Sequence, residues 1–312
     1  MKILFCLVLP FCAAAATTRA TAAEPNIKSE EPEPQRYDCG DASPDEQYVL
    51  QLINRARLNP QAEGKRVNTD LTEALSPGEK MRLEARPPLA MNARLLKTAR
   101  AHSKDMYDRA YFEHTTPEGV RLADRVKAAG YDYTSVAENI AAGSKHAPAE
   151  LHDLLVIDTD TPDRGHRKNI FGLDPSTTKL REIGVGVFAG EKKNTDGVSS
   201  FLTEDFGVQG GHPKPLLTGV VYADKNGNGF YDPGEGLAGV TIKVDGGAFY
   251  AVTNAAGGWA IPVALGLAKV SASGGDFEGT ASASVEVTGE NIELDFISGS
   301  KDAVVNFEKT EK

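Results

Sequence analysis

Ile183-Gly184-Val185-Gly186-Val187-Phe188, a polar turn rich in Lys, Asn, Asp and Gly, and Ser200-Phe201-Leu202-Thr203 read together as a β-hairpin. Everything ahead of this hairpin reads as helix or loop. Ser43-Pro44-Asp45-Glu46 combines a capping residue, a proline suited to a first turn and an acid three residues after the cap. Val49, Leu50, Ile53 and Ala56 then recur at helical spacing until Asn59-Pro60 stops the run. Residues 61–86 are polar and predict irregular or weakly helical chain. A second helix is expected from about Asn92 to Arg109, with Leu95, Ala99, His102 and Met106 on its inner face, which makes His102 a core residue. A third spans about Gly119 to Ala129 and ends at Gly130. Helices first and a hairpin last predict an α+β or three-layer α/β/α domain.

The pattern changes after Gly210-Gly211-His212-Pro213-Lys214-Pro215, which reads as a linker. Leu217–Tyr222, Val240–Val244, Trp259–Val263, Ala268–Ala272 and Ile292–Phe296 are short β-type runs separated by Gly, Asn and Asp turns. They predict a small all-β sandwich. Within it, Asp224-Lys225-Asn226-Gly227-Asn228-Gly229-Phe230-Tyr231-Asp232-Pro233-Gly234-Glu235 fits the twelve-position calcium-loop pattern at every position. Asp224, Asn226 and Asn228 offer side-chain oxygens, Phe230 its carbonyl, Asp232 an oxygen that often works through water, and Glu235 both carboxylate oxygens. The expected flanks are strands, so the cation would be structural, not a helix–loop–helix switch.

The N-terminus carries Lys2, an apolar run from Ile3 to Ala16 interrupted by Pro10, and Ala20-Thr21-Ala22. That is the grammar of a secretory signal peptide, cleaved near Ala22 or Ala23. Losing Lys2 and Arg19 takes the formal charge of the 312-residue chain from −10 to −12. This charge disfavours nucleic acid and anionic membrane surfaces as partners, and no later run is apolar and long enough to span a membrane. Cys6 and Cys12 fall in the signal. Cys39 alone remains, in a polar stretch where it would be free or pair between chains. The expected organisation is a signal peptide over 1–23, a disordered leader over 24–42, a first domain over 43–209, a linker over 210–216, the β-sandwich over 217–298 and a polar tail over 299–312.

Chemistry concentrates in the first domain. Phe112-Glu113-His114, Glu138-Asn139-Ile140 and Gly165-His166-Arg167-Lys168-Asn169-Ile170 bring two imidazoles and a carboxylate into one stretch of chain. Such a set can hold a divalent ion or perform acid–base chemistry. His146 and His152 lie in a polar segment and are expected to face solvent; Ser103 and Ser144 read as ordinary polar residues. There is no Gly-x-Ser-x-Gly, no His-Glu-x-x-His and no mature cysteine in a nucleophile motif.

These segments occur in a defined order together with Asn54-Arg55-Ala56-Arg57, Ala101-His102-Ser103-Lys104-Asp105-Met106, Gly130-Tyr131, Ala137-Glu138 and Glu204-Asp205-Phe206-Gly207. The ordered set resembles the bacterial branch of the CAP superfamily, which includes cysteine-rich secretory proteins, insect venom antigens and plant pathogenesis-related proteins. The resemblance covers about residues 45–208. It implies an α–β–α sandwich with a cleft of two histidines and two acids: His114, Glu138, His166 and, as fourth member, Asp158, with Asp160 as alternative. The chain lacks the disulfides and the His-Tyr-Thr segment of the animal and plant members, and has Ala137 where glycine commonly precedes the Glu-Asn pair. Gly219–Asp224, the calcium loop, Gly236–Val240 and Thr253–Trp259 resemble the B-type repeats of bacterial surface adhesins, a prealbumin-like sandwich used as a spacer. Lys243 and Asn291 are residue types that some such repeats crosslink, without a motif that assigns them here.

Three functions are compatible with this reading. One is a secreted or envelope-associated binding or effector module whose cleft takes an extracellular small molecule, glycan or protein. Another is a metal-assisted hydrolase of peptide or cell-wall material, with His114 and His166 on zinc or a similar ion and Glu138 or Asp158 activating water. The last is a structural envelope or matrix component.

Overall fold

The computed structural model describes residues 33–191, 197–211 and 213–305. The expected signal peptide, leader residues 24–32, the 192–196 turn, His212 and the last residues of the tail lie outside the described residues.

In chain order the elements of the first half are β1 (Gln35–Arg36), α1 (Pro44–Leu58), α2 (Pro60–Arg66), α3 (Pro77–Arg82), β2 (Ala90–Met91), α4 (Ala93–Arg109), α5 (Leu122–Ala128), β3 (Tyr133–Gly143), α6 (Pro148–Ile157), α7 (Gly165–Phe171), β4 (Glu182–Ala189) and β5 (Ser200–Gln209). α1 starts where the capping signal places it: the Glu46 amide donates to Ser43 Oγ at 3.3 Å and the Ser43 amide to Glu46 Oε2 at 2.7 Å. The polar stretch 61–86 is more helical than its composition suggests, because Asn59 and Ser76 cap α2 and α3.

The hairpin β4–β5 is the centre of a sheet ordered β2-β4-β5-β3. Its alternation sets the layering. Ile183 and Val185 face one side, where they join Val49 and Ile53 of α1 and Leu151 and Leu155 of α6 in one core. Gly184 and Gly186 face the other side, and α4 lies directly on them. A Cβ at Gly184 would sit 2.0 Å from the Leu95 carbonyl carbon, and one at Gly186 2.2 Å from that of Ala99. The two glycines thus let helix backbone meet strand backbone, and β-branched residues fill the opposite face. The result is helices on both faces of a largely antiparallel sheet.

The second half contains β6 (Leu216–Tyr222), β7 (Thr241–Val244), β8 (Phe249–Val252), β9 (Gly258–Pro262), β10 (Gly266–Ser273), β11 (Thr280–Val287), β12 (Ile292–Ile297) and β13 (Val304–Val305). They form two sheets, β1-β8-β7-β10-β11 and β13-β12-β6-β9. Both sheets contribute to one apolar core, with Ile242, Val270 and Val285 from the first and Leu217, Trp259 and Phe296 from the second.

Three differences from the sequence reading matter. The leader does not stay irregular to residue 42: the Gln35 amide donates to the Ala248 carbonyl at 2.9 Å and the Tyr37 amide to that of Tyr250 at 2.8 Å, so β1 is an edge strand of the second half. Cys39 is buried beside Ala42 and Leu96, and burial pushes its thiol up to about 12. It is a small core residue and a poor nucleophile. The tail is not wholly frayed either, since β13 pairs with β12.

The two halves form one compact unit from Pro34 onward. Leu216 and Ala260 of the second half belong to the first core. Asn54 of α1 donates to the Leu89 carbonyl at 3.1 Å and to Glu293 Oε1 at 3.0 Å. Asn291 donates to the carbonyls of Pro88 at 3.0 Å and Arg181 at 2.8 Å. Asn291 is thereby a clamp between the halves. Among the described residues no helix is long and apolar enough to cross a membrane.

Candidate functional site

The four residues singled out in the sequence form two imidazole–carboxylate couples. His114, in the loop between α4 and α5, has Nδ1 2.8 Å from Glu138 Oε1 on β3. His166, in the first turn of α7, has Nδ1 2.8 Å from Asp158 Oδ1. Asp158 caps the end of α6 in a left-handed conformation (φ 51, ψ 38), which aspartate tolerates better than most residues. Its other oxygen accepts the Arg167 amide at 3.1 Å, so the carboxylate fixes the start of α7 as well as the His166 ring. Asp160 is exposed and makes no such contact, which places Asp158 against His166.

The couples are joined through amides. Asn139, next to Glu138 on β3, donates to the His166 carbonyl at 3.2 Å and to Glu204 Oε2 at 3.0 Å. Asn169 of α7 donates to Asn139 Oδ1 at 2.9 Å. Both Nδ1 atoms are therefore engaged by carboxylates, and each ring keeps Nε2 for whatever enters. The His114 side chain is 53% exposed and that of His166 24%, so both rings are reachable from solvent.

Several partners escaped the sequence reading. Arg125 of α5 donates to the His114 carbonyl at 2.8 Å and forms an ion pair with Glu138 Oε2, clamping loop and acid together. His102 is buried, as its place in an apolar stripe predicts, but it is more than filler. Its Nε2 donates to the Glu113 carbonyl at 3.1 Å and lies 3.9 Å from Glu138 Oε2, so it positions the loop that carries His114. His152 does not face solvent. It is fully buried on α6 with Nδ1 3.1 Å from Glu204 Oε1, because the polar-looking segment is a helix packed on the sheet. His146 is exposed, as its polar neighbourhood predicts. Ser103 is buried and donates to the Gly186 carbonyl at 2.8 Å, a structural use of its hydroxyl.

The acids are tuned differently. Burial would raise Glu138, but the His114 bond and the charges of Arg125 and His102 outweigh it and hold the carboxyl below its usual value. Asp205 lies opposite Glu138 in the β3–β5 register. Burial and then the Glu138 charge push its carboxyl well above the usual range, while its Oδ2 accepts the Thr98 hydroxyl at 2.6 Å. The two neighbours are thus driven apart, Glu138 towards its ionised form and Asp205 towards its protonated one. Burial would lower His166, but Asp158 raises it more, with help from Glu204 and Asp163. His102 is lowered, chiefly by burial. The consecutive acids Glu204-Asp205 inside a strand were the available signal for this buried layer.

Two imidazole Nε2 atoms backed by carboxylates match the outer-shell logic of metal sites. Among the described residues, however, no group of three or more His, Cys, Asp or Glu is gathered around one point. An ion held by His114 and His166 alone would need water or a ligand for its remaining positions.

The calcium-type loop keeps its side-chain oxygens within itself. Asp224 Oδ1 accepts the amides of Gly227 and Asn228, and Oδ2 that of Gly229. Asn226 and Asn228 both donate to Asp232 Oδ2 at 2.7 Å. Glu235 is 4% exposed and accepts the amides of Lys225 and Asp232. Phe230 packs outward against α1, edge-on to Tyr48 at 6.1 Å, with the Arg55 guanidinium 4.8 Å from its ring centre.

Residues 50–203 match the profile of the CAP family, the Cysteine-rich secretory protein family. A Bacillus subtilis relative, the uncharacterized protein YkwD, is 41% identical over 99 residues, covering 32% of this chain and 34% of its own length. The chain thus spans about a third of the curated relative it matches. Among solved structures, an extracellular SCP-domain protein from Bacillus anthracis is 25% identical, with 53% of this chain and 40% of that one covered at a TM-score of 0.35. An outer surface protein of Borrelia burgdorferi is 16% identical, with 48% and 96% covered at 0.31. The venom allergen-like protein 4 of Schistosoma mansoni is 14% identical, with 53% and 89% covered at 0.28. On the family profile and the Bacillus subtilis relative, with the ordered motifs behind them, residues 50–203 are a CAP domain.

Proposed function

We propose that the protein is a secreted binding or effector module whose histidine–acid cleft engages an extracellular small molecule, glycan or protein. The signal-like N-terminus and the CAP domain support export. The observation that carries the binding reading is the pairing itself. Two half-exposed to part-buried imidazoles are each oriented through Nδ1 by a nearly buried acid, which leaves Nε2 of each ring for a ligand. Holding two imidazole–carboxylate pairs on one amide-bridged network is costly for packing alone. The buried Ser103 hydroxyl is committed to backbone and to Thr203, which favours recognition over acyl transfer. A glycan and small-molecule array, followed by calorimetry on each hit, tests this. Saturable binding abolished in both Glu138→Ala and His166→Ala is expected. Unchanged binding of every hit by both folded variants would end the proposal.

The same carboxylate-backed imidazoles favour one alternative, a metal-assisted hydrolase of peptide or cell-wall material. His114 and His166 would hold the ion, and Glu138 or Asp158 would activate water. Turnover of peptide or peptidoglycan that needs zinc, and is lost in His114→Ala, would favour it over pure recognition.

The second half is proposed to be a spacer resembling the B-type adhesin repeats, stiffened by calcium at Asp224, Asn226, Asn228, the Phe230 carbonyl, Asp232 and Glu235. The loop's acids and glycines support this, and both Asn226 and Asn228 can turn their amide oxygens inward. Millimolar calcium should raise the melting temperature of wild type and leave Glu235→Ala unmoved. An equal response would exclude the loop.

A further inference from the structure

We propose that the cavity between the two halves of the chain binds an acidic sugar, carboxylated or phosphorylated. The cavity encloses about 590 Å³, a ligand-sized volume. None of His114, Glu138, Asp158 or His166 lines it, so it is separate from the cleft described above.

Its charge runs against that of the chain. Arg36, Arg94, Arg181 and Lys214 line it, against only Asp38 and Glu182. That is a local surplus of two positive charges in a chain of formal net charge −10. Arg36, Arg94 and Lys214 form no ion pair with any described carboxylate, and Arg94 and Lys214 are exposed. Arg181 donates to the Gly289 carbonyl at 2.8 Å and lies 3.5 Å from Glu290.

The two acids are already engaged. Glu182 is 3% exposed; its Oε1 accepts Asn92 Nδ2 at 2.7 Å and Gln209 Nε2 at 2.9 Å, and its Oε2 accepts the Tyr131 hydroxyl at 2.8 Å. Asp38 Oδ1 accepts the Gly40 amide at 2.9 Å. The wall also includes Asn92 to Arg94, where the seventeen-residue helix α4 begins and adds positive potential. Guanidinium groups suit planar or tetrahedral oxyanions. A ring binder needs more than charge, and the cavity supplies it. Tyr37 and Phe249 meet edge to face at 6.0 Å on its wall, with Pro213 and Pro262 beside them. Burial and Glu182 push the Tyr37 hydroxyl above its usual range, so it stays a neutral donor.

The site draws on the N-terminal strand, the CAP domain and the second half together. A free CAP domain would lack Arg36, Lys214 and Phe249. This gives the close union of the two halves a consequence for binding.

The test is calorimetry on the full chain without its signal peptide. Digalacturonate supplies the carboxylate form, glucose 6-phosphate the phosphorylated form, and digalactose the uncharged control. At least one acidic sugar should saturate at one site and bind at least about tenfold more tightly than digalactose, the scale of one charge-assisted contact. The one that binds identifies the oxyanion. The double variant Arg94→Gln, Lys214→Gln removes two exposed, unpaired charges and should keep the wild-type melting temperature while losing at least about tenfold in affinity. His166→Ala should bind as wild type. No saturation by either acid, equal binding of digalactose, or undiminished binding by the double variant would each overturn the proposal.

Discussion

Replacing Glu293 with glutamine should remove much of the pH dependence of this protein's stability. Glu293 sits on β12, 4% exposed, at the junction where α1 meets the second half. Asp295, two residues along the same strand, is on the same face and also buried. Burial first, and then the Asp295 charge, lift the Glu293 carboxyl from an ordinary 4.5 to about 8. Between those values the folded chain keeps a proton that the unfolded chain releases. The stability this group contributes is therefore fully present below 4.5 and is lost as pH rises through about 8. Each pH unit between the two values corresponds to about 1.4 kcal/mol, so the gap sets an upper bound of about 5 kcal/mol. Relaxation of the junction reduces this to a few kcal/mol, still a large share of a typical total of about 5–15 kcal/mol. Glutamine preserves the oxygen that accepts Asn54 Nδ2 and carries no titrating proton. Urea unfolding can be followed through Trp259, the single tryptophan, which lies 2% exposed in the second core. Wild type should lose a few kcal/mol between about pH 5 and about pH 8, and Glu293→Gln should lose much less. Titrating groups that do not interact with Glu293 are common to both proteins and cancel in the difference, and the coupled Asp295 titrates as part of the same pair. Parallel profiles for the two proteins would refute the reasoning.

Three further outcomes follow from the packing and the electrostatics. Gly184→Ala should destabilise by about 3 kcal/mol or more in chemical denaturation, because the new methyl meets rigid helix backbone at Leu95 and no side chain can move aside. Glu138→Ala leaves the Arg125 guanidinium, 10% exposed, without its acid, and should cost about 3–5 kcal/mol, measured by the same unfolding assay. It should also lower the Asp205 carboxyl, read by carbon NMR, by removing a like charge. His166 is held above its usual value by Asp158, so its stabilising share is present below about 6.5 and fades as pH rises through the raised value; Asp158→Asn should abolish that slope.

The sequence and the structure part company in an instructive way. The helix starts at Ser43 and Asn92 and the hairpin at Ile183 were legible, because caps and alternation act locally. His114, Glu138 and His166 could be picked out through ordered motifs, and the structure pairs each imidazole with an acid; Asp158 could be preferred to Asp160 but not fixed. What stayed hidden depends on partners far along the chain. Arg125 looks like any exposed helical arginine until its helix brings it to Glu138. His152 sits among polar neighbours, and only the packing of α6 on the sheet shows it facing Glu204. Cys39 and β1 looked like leader because two strand residues carry no pattern; their order comes from the edge offered by β8. Beyond the Gly210–Pro215 stretch every element among the described residues is a strand. That stretch does not reveal that Asn54, Asn291 and Leu216 knit the halves into one body.

The proposed function requires that His114 and His166 serve one cleft, linked through Glu138, Asn139, Asn169 and Asp158. Imidazole nitrogen NMR of both rings during titration with a ligand found by the array tests it most directly. The two Nε2 resonances should move together along one saturation curve, and Asn139→Ala should uncouple them. Movement of one ring alone, or two curves with different midpoints, would contradict it.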